Sequence, residues 1–301
     1  MCHVCPEVSI NSYTLLPVDS LLFFCKLTIM NEKIIRVAVA GAGGRMGGRI
    51  IALASESSEF KVIGAFEASG HPVIGRDAGI VAGCGEIKVV ITSDCTRSLE
   101  GADVLIDFTS PSATIEHIQI ALQHNVPMVI GTTGLEKDGE KIIEQASKKI
   151  PLIAAPNMSV GVNLLFRIAP LIAETLGEDY DIEIIEAHHN KKKDAPSGTA
   201  MKLLDLVSSA AGIEKENSVF GRKGLDAKRK PREIGVHAVR AGDIVGEHTV
   251  IFATTGERIE VTHRASSRDT FALGALRAAK FLIGKPAGKY SMADVLFKKD
   301  N

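Results

Sequence analysis

The sequence predicts an α/β fold, with a doubly wound parallel sheet first and a smaller α+β domain with a mixed sheet after it. Three observations carry the prediction. Short β-branched apolar runs alternate with helix-period stretches from residue 34 to about 155, the alternation that builds a parallel sheet covered on both faces. A glycine-rich turn joins the first run to the first helical stretch. Beyond about residue 157 the texture changes, and three strand candidates follow one another across short turns, as in antiparallel or mixed sheets.

Residues 34–40 (IIRVAVA) read as a strand buried on both faces, followed by the glycine turn and a helix to about residue 55. Further strands are expected at 61–66, 88–92, 103–107, 127–130 and 151–155, with helices between several of them, notably over 112–124 and 136–149. A helix near 160–176 leads to a strand at 181–187, and another helix runs from Ser197 to about 211. Residues 213–232 are charged and read as loop. Strands then follow around 233–241, 246–254 and 257–263, with turn signals at Ala241-Gly-Asp and Thr255-Gly-Glu. A last helix over about 268–283 is expected to return to the first domain. The expected division is therefore 30–158, 159–266 and a returning segment 267–301.

At 301 residues the chain has room for two domains with substantial cores. Its formal net charge of −1 gives no global basic field, so nucleic acid is not an expected partner. No apolar run is expected to approach the roughly 18 residues of a membrane span, so no membrane partner is expected either. Three of the five cysteines (Cys2, Cys5, Cys25) fall within the first 25 residues, and such sparse usage fits free thiols in a reducing cytoplasm. Residues 1–29 lack the features of a signal or transit peptide and read as a poorly ordered leader. Cys2-His-Val-Cys5 has the spacing of half a zinc site, but no second pair follows at a suitable distance, and no metal is expected.

The first chemical motif is the turn Gly41-Ala42-Gly43-Gly44-Arg45-Met46-Gly47. It follows a strand and opens a helix in the first βαβ unit, the context of a Rossmann-like dinucleotide site. Glycines there allow a tight turn and close approach of a pyrophosphate, and amides at the helix start face the anion. Glu67 ends the next strand, where a carboxylate accepts hydrogen bonds from the adenosine ribose. Ala68 and Ser69 offer no cation for a 2′-phosphate, which favours NADH, while Arg45 could supply charge for NADPH. Asp107-Phe-Thr109-Ser-Pro111 and Gly131-Thr132-Thr133-Gly134 fall at carboxyl ends of strands, where open α/β sheets bind ligands.

The second motif is EAHHNKKKDAPSGTA, residues 186–200. Adjacent histidines continuing a strand point to opposite faces, so His188 and His189 do not readily chelate one metal. A run such as Asn190-Lys-Lys-Lys193 is often a solvated connector. Here it leads into a helix entered at Ser197, as N-cap or first-turn residue, whose first amides, at Gly198 and Thr199, suit a carboxylate. Lysines and a helix start thus form an anion site beside histidines that exchange protons near neutrality.

Together, GAGGRMG, DFT at 107–109, GTTG at 131–134, EAHHxxKxDAPSGTA at 186–200, VRAGDIVGEHTV at 239–250 and VTHRASSR at 261–268 resemble the 4-hydroxy-tetrahydrodipicolinate reductase (dihydrodipicolinate reductase) family of bacterial lysine biosynthesis. The resemblance spans about 30–301. It implies reduction of a small dicarboxylate by NADH or NADPH, with His188 exchanging a proton and Lys192 acting as general acid. It also implies substrate contacts from His189, Gly198 and Thr199. Cofactor contacts are implied for Gly41 to Met46 and Glu67, and for Gly131 to Thr133 and Ala155, Pro156, Asn157 and Met158 on the nicotinamide side. A cytoplasmic homotetramer built through the second domain's sheet is implied as well. The family often places Arg where this chain has Ala68, which weakens an expectation of strong NADPH preference. The competing expectations are another two-domain dehydrogenase of amino-acid metabolism, for which no suitably placed catalytic Cys is found, and a non-catalytic nucleotide sensor.

Overall fold

The computed structural model describes residues 34–297. The leader expected over 1–29, with its Cys2–Cys5 pair, lies outside the described residues. Six parallel strands form the first sheet: β1 (Ile35–Ala40), β2 (Phe60–Phe66), β3 (Val104–Asp107), β4 (Met128–Ile130), β5 (Pro151–Ala154) and β11 (Gly288–Tyr290). Their spatial order is β11-β5-β4-β3-β1-β2, so the winding reverses between β1 and β3. The carboxyl ends of those two strands form the switch point at which doubly wound sheets hold ligands.

Alternation along β1 distributes the core. Val37 and Val39 face α1 (Arg45–Glu56), and the same core takes in Ala275, Ala279 and Leu282 of the late helix α8 (Asp269–Leu282). Ala38 and Ala40 point the other way, toward Ile118 and Ala121 of α4 (Pro111–His124) and Ile143 and Ala146 of α5 (Lys137–Ser147). Two short helices, α2 (Ala78–Ala82) and α3 (Cys95–Ser98), complete this half.

The strand expected at 88–92 is replaced by two isolated bridges. The amides of Ile87 and Val89 turn to the Asp77 carboxylate, at 3.1 and 3.0 Å, instead of joining a ladder with β2.

The second sheet has the order β10-β9-β6-β8-β7, with β6 (Asp181–His188), β7 (Ser218–Phe220), β8 (Ile234–Arg240), β9 (Gly246–Thr254) and β10 (Glu257–Ala265). It is mixed: β6 runs parallel to β8 and antiparallel to β9. Although β8 and β9 are joined by a short turn, β6 lies between them. Helices α6 (Val160–Leu176) and α7 (Gly198–Ala211) cover one face, packing Leu165, Ala169, Leu203 and Val207 onto Ile182, Ile184, Val236 and Phe252. β7, β11 and the short α9 (Met292–Leu296) were not expected from sequence.

The expectation about apolar runs needs correction. Val160–Asp179 has 20 residues, and an 18-residue window within it has mean hydropathy 1.4, which meets the length and composition of a membrane-crossing helix. In this fold Val162, Leu165, Ala169 and Ala173 of that helix are buried.

The chain leaves the first sheet after β5 and comes back to it with α8. The two passages meet. Ser159 Oγ lies 3.0 Å from Thr270 Oγ1 and 3.3 Å from His263 Nε2.

Candidate active site

At the end of β1, Gly41 takes φ +67°, a left-handed conformation that favours glycine. The Ala42 amide donates to Phe66 O at 3.1 Å, and Ala42 is buried. Gly44 caps α1 without a side-chain bond, and Arg45 and Met46 open its first turn. A Cβ at Gly43 would lie 2.7 Å from the His71 ring, and one at Gly47 would lie 2.1 Å from Gly41 O. Gly47 therefore supplies the close helix–strand packing, a role the sequence left unassigned within the motif. Glu67 reaches the same turn, its Oε2 accepting from the Gly43 amide at 3.0 Å. These residues fit a dinucleotide. The turn is stripped of Cβ atoms where backbone must approach a pyrophosphate, with a helix start behind it and a carboxylate at the ribose side.

Against the glycine turn, a polar knot joins the loops after β3 and β4. Buried Asp107 accepts from the Thr109 amide and hydroxyl at 2.9 and 2.6 Å and lies 2.8 Å from His117 Nδ1. Thr132 Oγ1 accepts from the Thr109 amide at 3.1 Å and the Thr114 hydroxyl at 2.8 Å. Gly131 has no room for a side chain, since its Cβ would strike the Phe108 ring at 2.1 Å.

A cleft of about 1440 Å³ runs from this knot to the second sheet. Thr133, Ala155, Pro156 and Asn157 line one side, and His188, Lys192, Gly198 and Thr199 line the other. Asn157 Nδ2 donates to Thr199 Oγ1 at 3.1 Å, bridging the two. The glycine turn and Glu67 lie beyond this cleft. His189 does not line it, and its buried Nδ1 has no hydrogen-bond partner among the described residues. Met158, expected on the nicotinamide side, packs instead into the core, 1% exposed.

β6 brings His188 to the cleft. Its even-numbered residues face inward, so Ile182 and Ile184 enter the core and Glu186 and His188 follow them. Glu186 is fully buried. Its Oε2 lies 2.6 Å from His188 Nδ1, its Oε1 accepts from the Ser197 amide at 2.9 Å, and Arg240 grips both oxygens at 2.8 and 2.7 Å. Burial alone would raise this carboxyl, but Arg240, His188 and the Ser197 amide hold it below the usual carboxylate range. His188 goes down: burial outweighs the upward pull of Glu186. At neutral pH the ring is therefore neutral. With Nδ1–H donated to Glu186, Nε2 carries the lone pair. Gly246 lies against that nitrogen, where a Cβ would come within 3.1 Å.

Ser197 caps α7 by accepting from the Ala200 amide at 3.2 Å, and its Oγ lies 3.1 Å from His248 Nε2. Burial pushes His248 down to about 3, so it stays neutral. The amides of Gly198 and Thr199 belong to the helix turn that has no intrahelical acceptors. Lys192 is 2.9 Å from Asp194 Oδ1. Burial tends to raise Asp194, but its bond to Lys192 keeps it low.

Sequence reasoning missed Glu186, Arg240 and His248 as parts of the site. For Glu186 a signal existed: it is a charge on the strand face otherwise occupied by Ile182 and Ile184.

Two family models match the chain, described as dihydrodipicolinate reductase N-terminus over residues 35–158 and C-terminus over 161–296. The chain is 49% identical over 263 residues to a 4-hydroxy-tetrahydrodipicolinate reductase of Syntrophus aciditrophicus, covering 87% of this chain and 98% of that protein. It is 47% identical over 262 residues to the reductase of that name from Geobacter sulfurreducens, with the same coverage. Among solved structures, a dipicolinate-bound dihydrodipicolinate reductase from Paenisporosarcina sp. TG-14 shares the fold at TM-score 0.69 and 22% identity, over 88% of this chain and all of that one. With both halves matched and the full-length relatives this similar, the chain belongs to the dihydrodipicolinate reductase family.

Proposed function

We propose that the protein reduces 4-hydroxy-tetrahydrodipicolinate to tetrahydrodipicolinate with a nicotinamide dinucleotide, in the route to diaminopimelate and lysine. The observation that carries this reading is the cleft lined on one side by Thr133 and Ala155 to Asn157 and on the other by His188, Lys192, Gly198 and Thr199. Another dehydrogenase or a nucleotide sensor is not favoured, because both family halves match and the relatives that carry the reductase name align over nearly their whole length.

The overall change replaces a ring hydroxyl by hydrogen: a hydride and a proton enter and water leaves. The bound nicotinamide supplies the hydride. The Gly198 and Thr199 amides and the Lys192 ammonium hold a substrate carboxylate, which displaces Asp194 from the lysine. His188 Nε2, free of a proton, accepts one from the ring and passes it to the leaving hydroxyl, which departs as water. Lys192 gives a proton to the centre that hydride addition leaves electron-rich, which is general-acid catalysis.

NADH is the preferred donor in this reading. The Glu67 carboxylate beside the Gly43 amide repels a 2′-phosphate, and Ala68 offers it no cation. The assembly is a homotetramer, supported by the uncovered face of the second sheet, where Ile185 and Val239 are exposed. The cytoplasm is supported by the free thiols of Cys84 and Cys95.

The test adds freshly prepared substrate to enzyme with NADH or NADPH and follows loss of the reduced cofactor. Absence of turnover with either would overturn the reading. A tenfold advantage for NADPH in kcat/KM would overturn only the donor preference. Sedimentation of the full chain as a monomer would overturn the tetramer.

A further inference from the structure

Every proton step assigned to His188 depends on which of its nitrogens is free, and this is decided behind the ring, where no substrate reaches. Glu186 stands there with four donors around two oxygens: His188 Nδ1, the Ser197 amide and two guanidinium nitrogens of Arg240. These donors come from three elements. His188 is on β6, Arg240 is its direct register partner on β8, and Ser197 is the cap of α7. One carboxylate thus fixes the orientation of the imidazole and the start of the helix whose amides face the cleft. A buried charge without such partners is strongly unfavourable.

We propose that Glu186, held by Arg240, is a positioning residue for the reduction: it presents His188 with Nε2 proton-free and sets that ring in register with the Gly198–Thr199 carboxylate cradle. The proposal rests on the role given to His188 above. Arg240 has its own part in the arrangement. By occupying both oxygens it keeps Glu186 an acceptor too weak to hold a proton of its own. The guanidinium also opposes protonation of the ring, so the imidazole returns its proton readily. Each surrounding element presents a charged or titratable group to His188: Glu186 from its own strand, Arg240 from β8, His248 from β9 at 5.2 Å between ring centres, and Lys192 from the loop that follows β6. Of these, Glu186 alone favours the protonated ring. Its removal therefore moves the acid limb of the rate profile to lower pH.

The test compares Glu186→Gln, Glu186→Asp, the charge-matched double variant Glu186→Gln/Arg240→Gln and His188→Ala. Each is measured for kcat/KM against pH, NADH binding and thermal unfolding. The Gln amide cannot accept from all four donors, so Glu186→Gln should lose about a hundredfold in kcat/KM, the scale of one misplaced acid–base group. Its acid limb should shift to lower pH while NADH binding holds. Glu186→Asp, which keeps the charge, should bring the limb back. The double variant leaves no unpaired guanidinium, so it separates a folding defect from a positioning one, and it too should stay slow. A wild-type rate and profile in Glu186→Gln or the double variant overturns the proposal. So does a loss of rate that tracks unfolding with the limb unmoved. If His188→Ala retains wild-type turnover, the assigned role of His188 falls. If His188→Ala is inactive while Glu186→Gln is normal, only the present proposal falls.

Discussion

Gly47 and Gly48 are adjacent in the first turns of α1, and substituting each by alanine should have opposite results. At Gly48 the nearest atom to a new Cβ is the Ala82 Cα at 3.9 Å, an ordinary contact. Alanine there removes the entropic cost of a helical glycine and should stabilise by about 0.5–1 kcal/mol. At Gly47 the Cβ would stand 2.1 Å from Gly41 O and 2.8 Å from Gly41 C. A carbon normally meets a carbonyl oxygen at about 3.3 Å, so helix and turn must separate by roughly 1 Å. Overpacking of this kind costs about 1–3 kcal/mol, and here the displaced group is backbone, which has no rotamer to escape into. The turn that moves is also the one expected to face the pyrophosphate. Gly47→Ala should therefore weaken NADH binding at least about tenfold, or 1.4 kcal/mol, beyond its loss of stability. The chain contains no tryptophan, so the fluorescence of NADH itself can follow binding, with urea unfolding for stability. If Gly47→Ala binds NADH and unfolds like wild type, the steric assignment of that glycine is wrong.

Four further outcomes follow. His248 is held near 3 in the fold against about 6.5 when unfolded, so its contribution to stability is complete above pH 6.5 and is lost as the pH falls toward 3. Between pH 6 and 5, wild type should lose about 1.4 kcal/mol more per pH unit than His248→Asn, and equal slopes in urea unfolding would refute this. Gly246→Ala should slow turnover severalfold with NADH affinity unchanged, because the methyl presses on His188 Nε2; an unchanged kcat would count against Nε2 as the exchanging atom. Ser197→Ala removes a helix cap and a partner of His248 and should cost about 2–3 kcal/mol in urea unfolding, with a raised KM for the dicarboxylate. The Cys95 thiol is pushed up to about 12 by burial, so peptide mapping after brief alkylation of native protein should find Cys95 unlabelled.

What the sequence disclosed depended on how local the physics was. The glycine turn was legible because a tight turn before a helix excludes side chains within seven consecutive residues. The cap of α7 and the alternation of β6 were legible for the same reason. Arg240 was not, because its meeting with Glu186 depends on β8 choosing β6 as its parallel neighbour, 54 residues away, over the strand that follows it. Residues 88–92 have the composition of a strand, but Asp77 captures their amides, a competition that composition does not reveal. β11 and β7, at three residues each, are too short to show a period and exist because a neighbouring strand offers them a partner. The place of Met158 in the core, one residue beyond the lining of the cleft, turns on the packing of α8 against the backbone there.

The double passage of the chain near Ser159 and Thr270 has a mechanical consequence. A body hung from one tether can swing in any direction, but one hung from two neighbouring tethers turns easily about a single line. Here the tethers are a hydrogen bond apart, with His263 wedged beside them. Any turning of the half that carries His188 against the half that carries the glycine turn would therefore pivot at this crossing, and it would have to break the Asn157–Thr199 bond across the cleft.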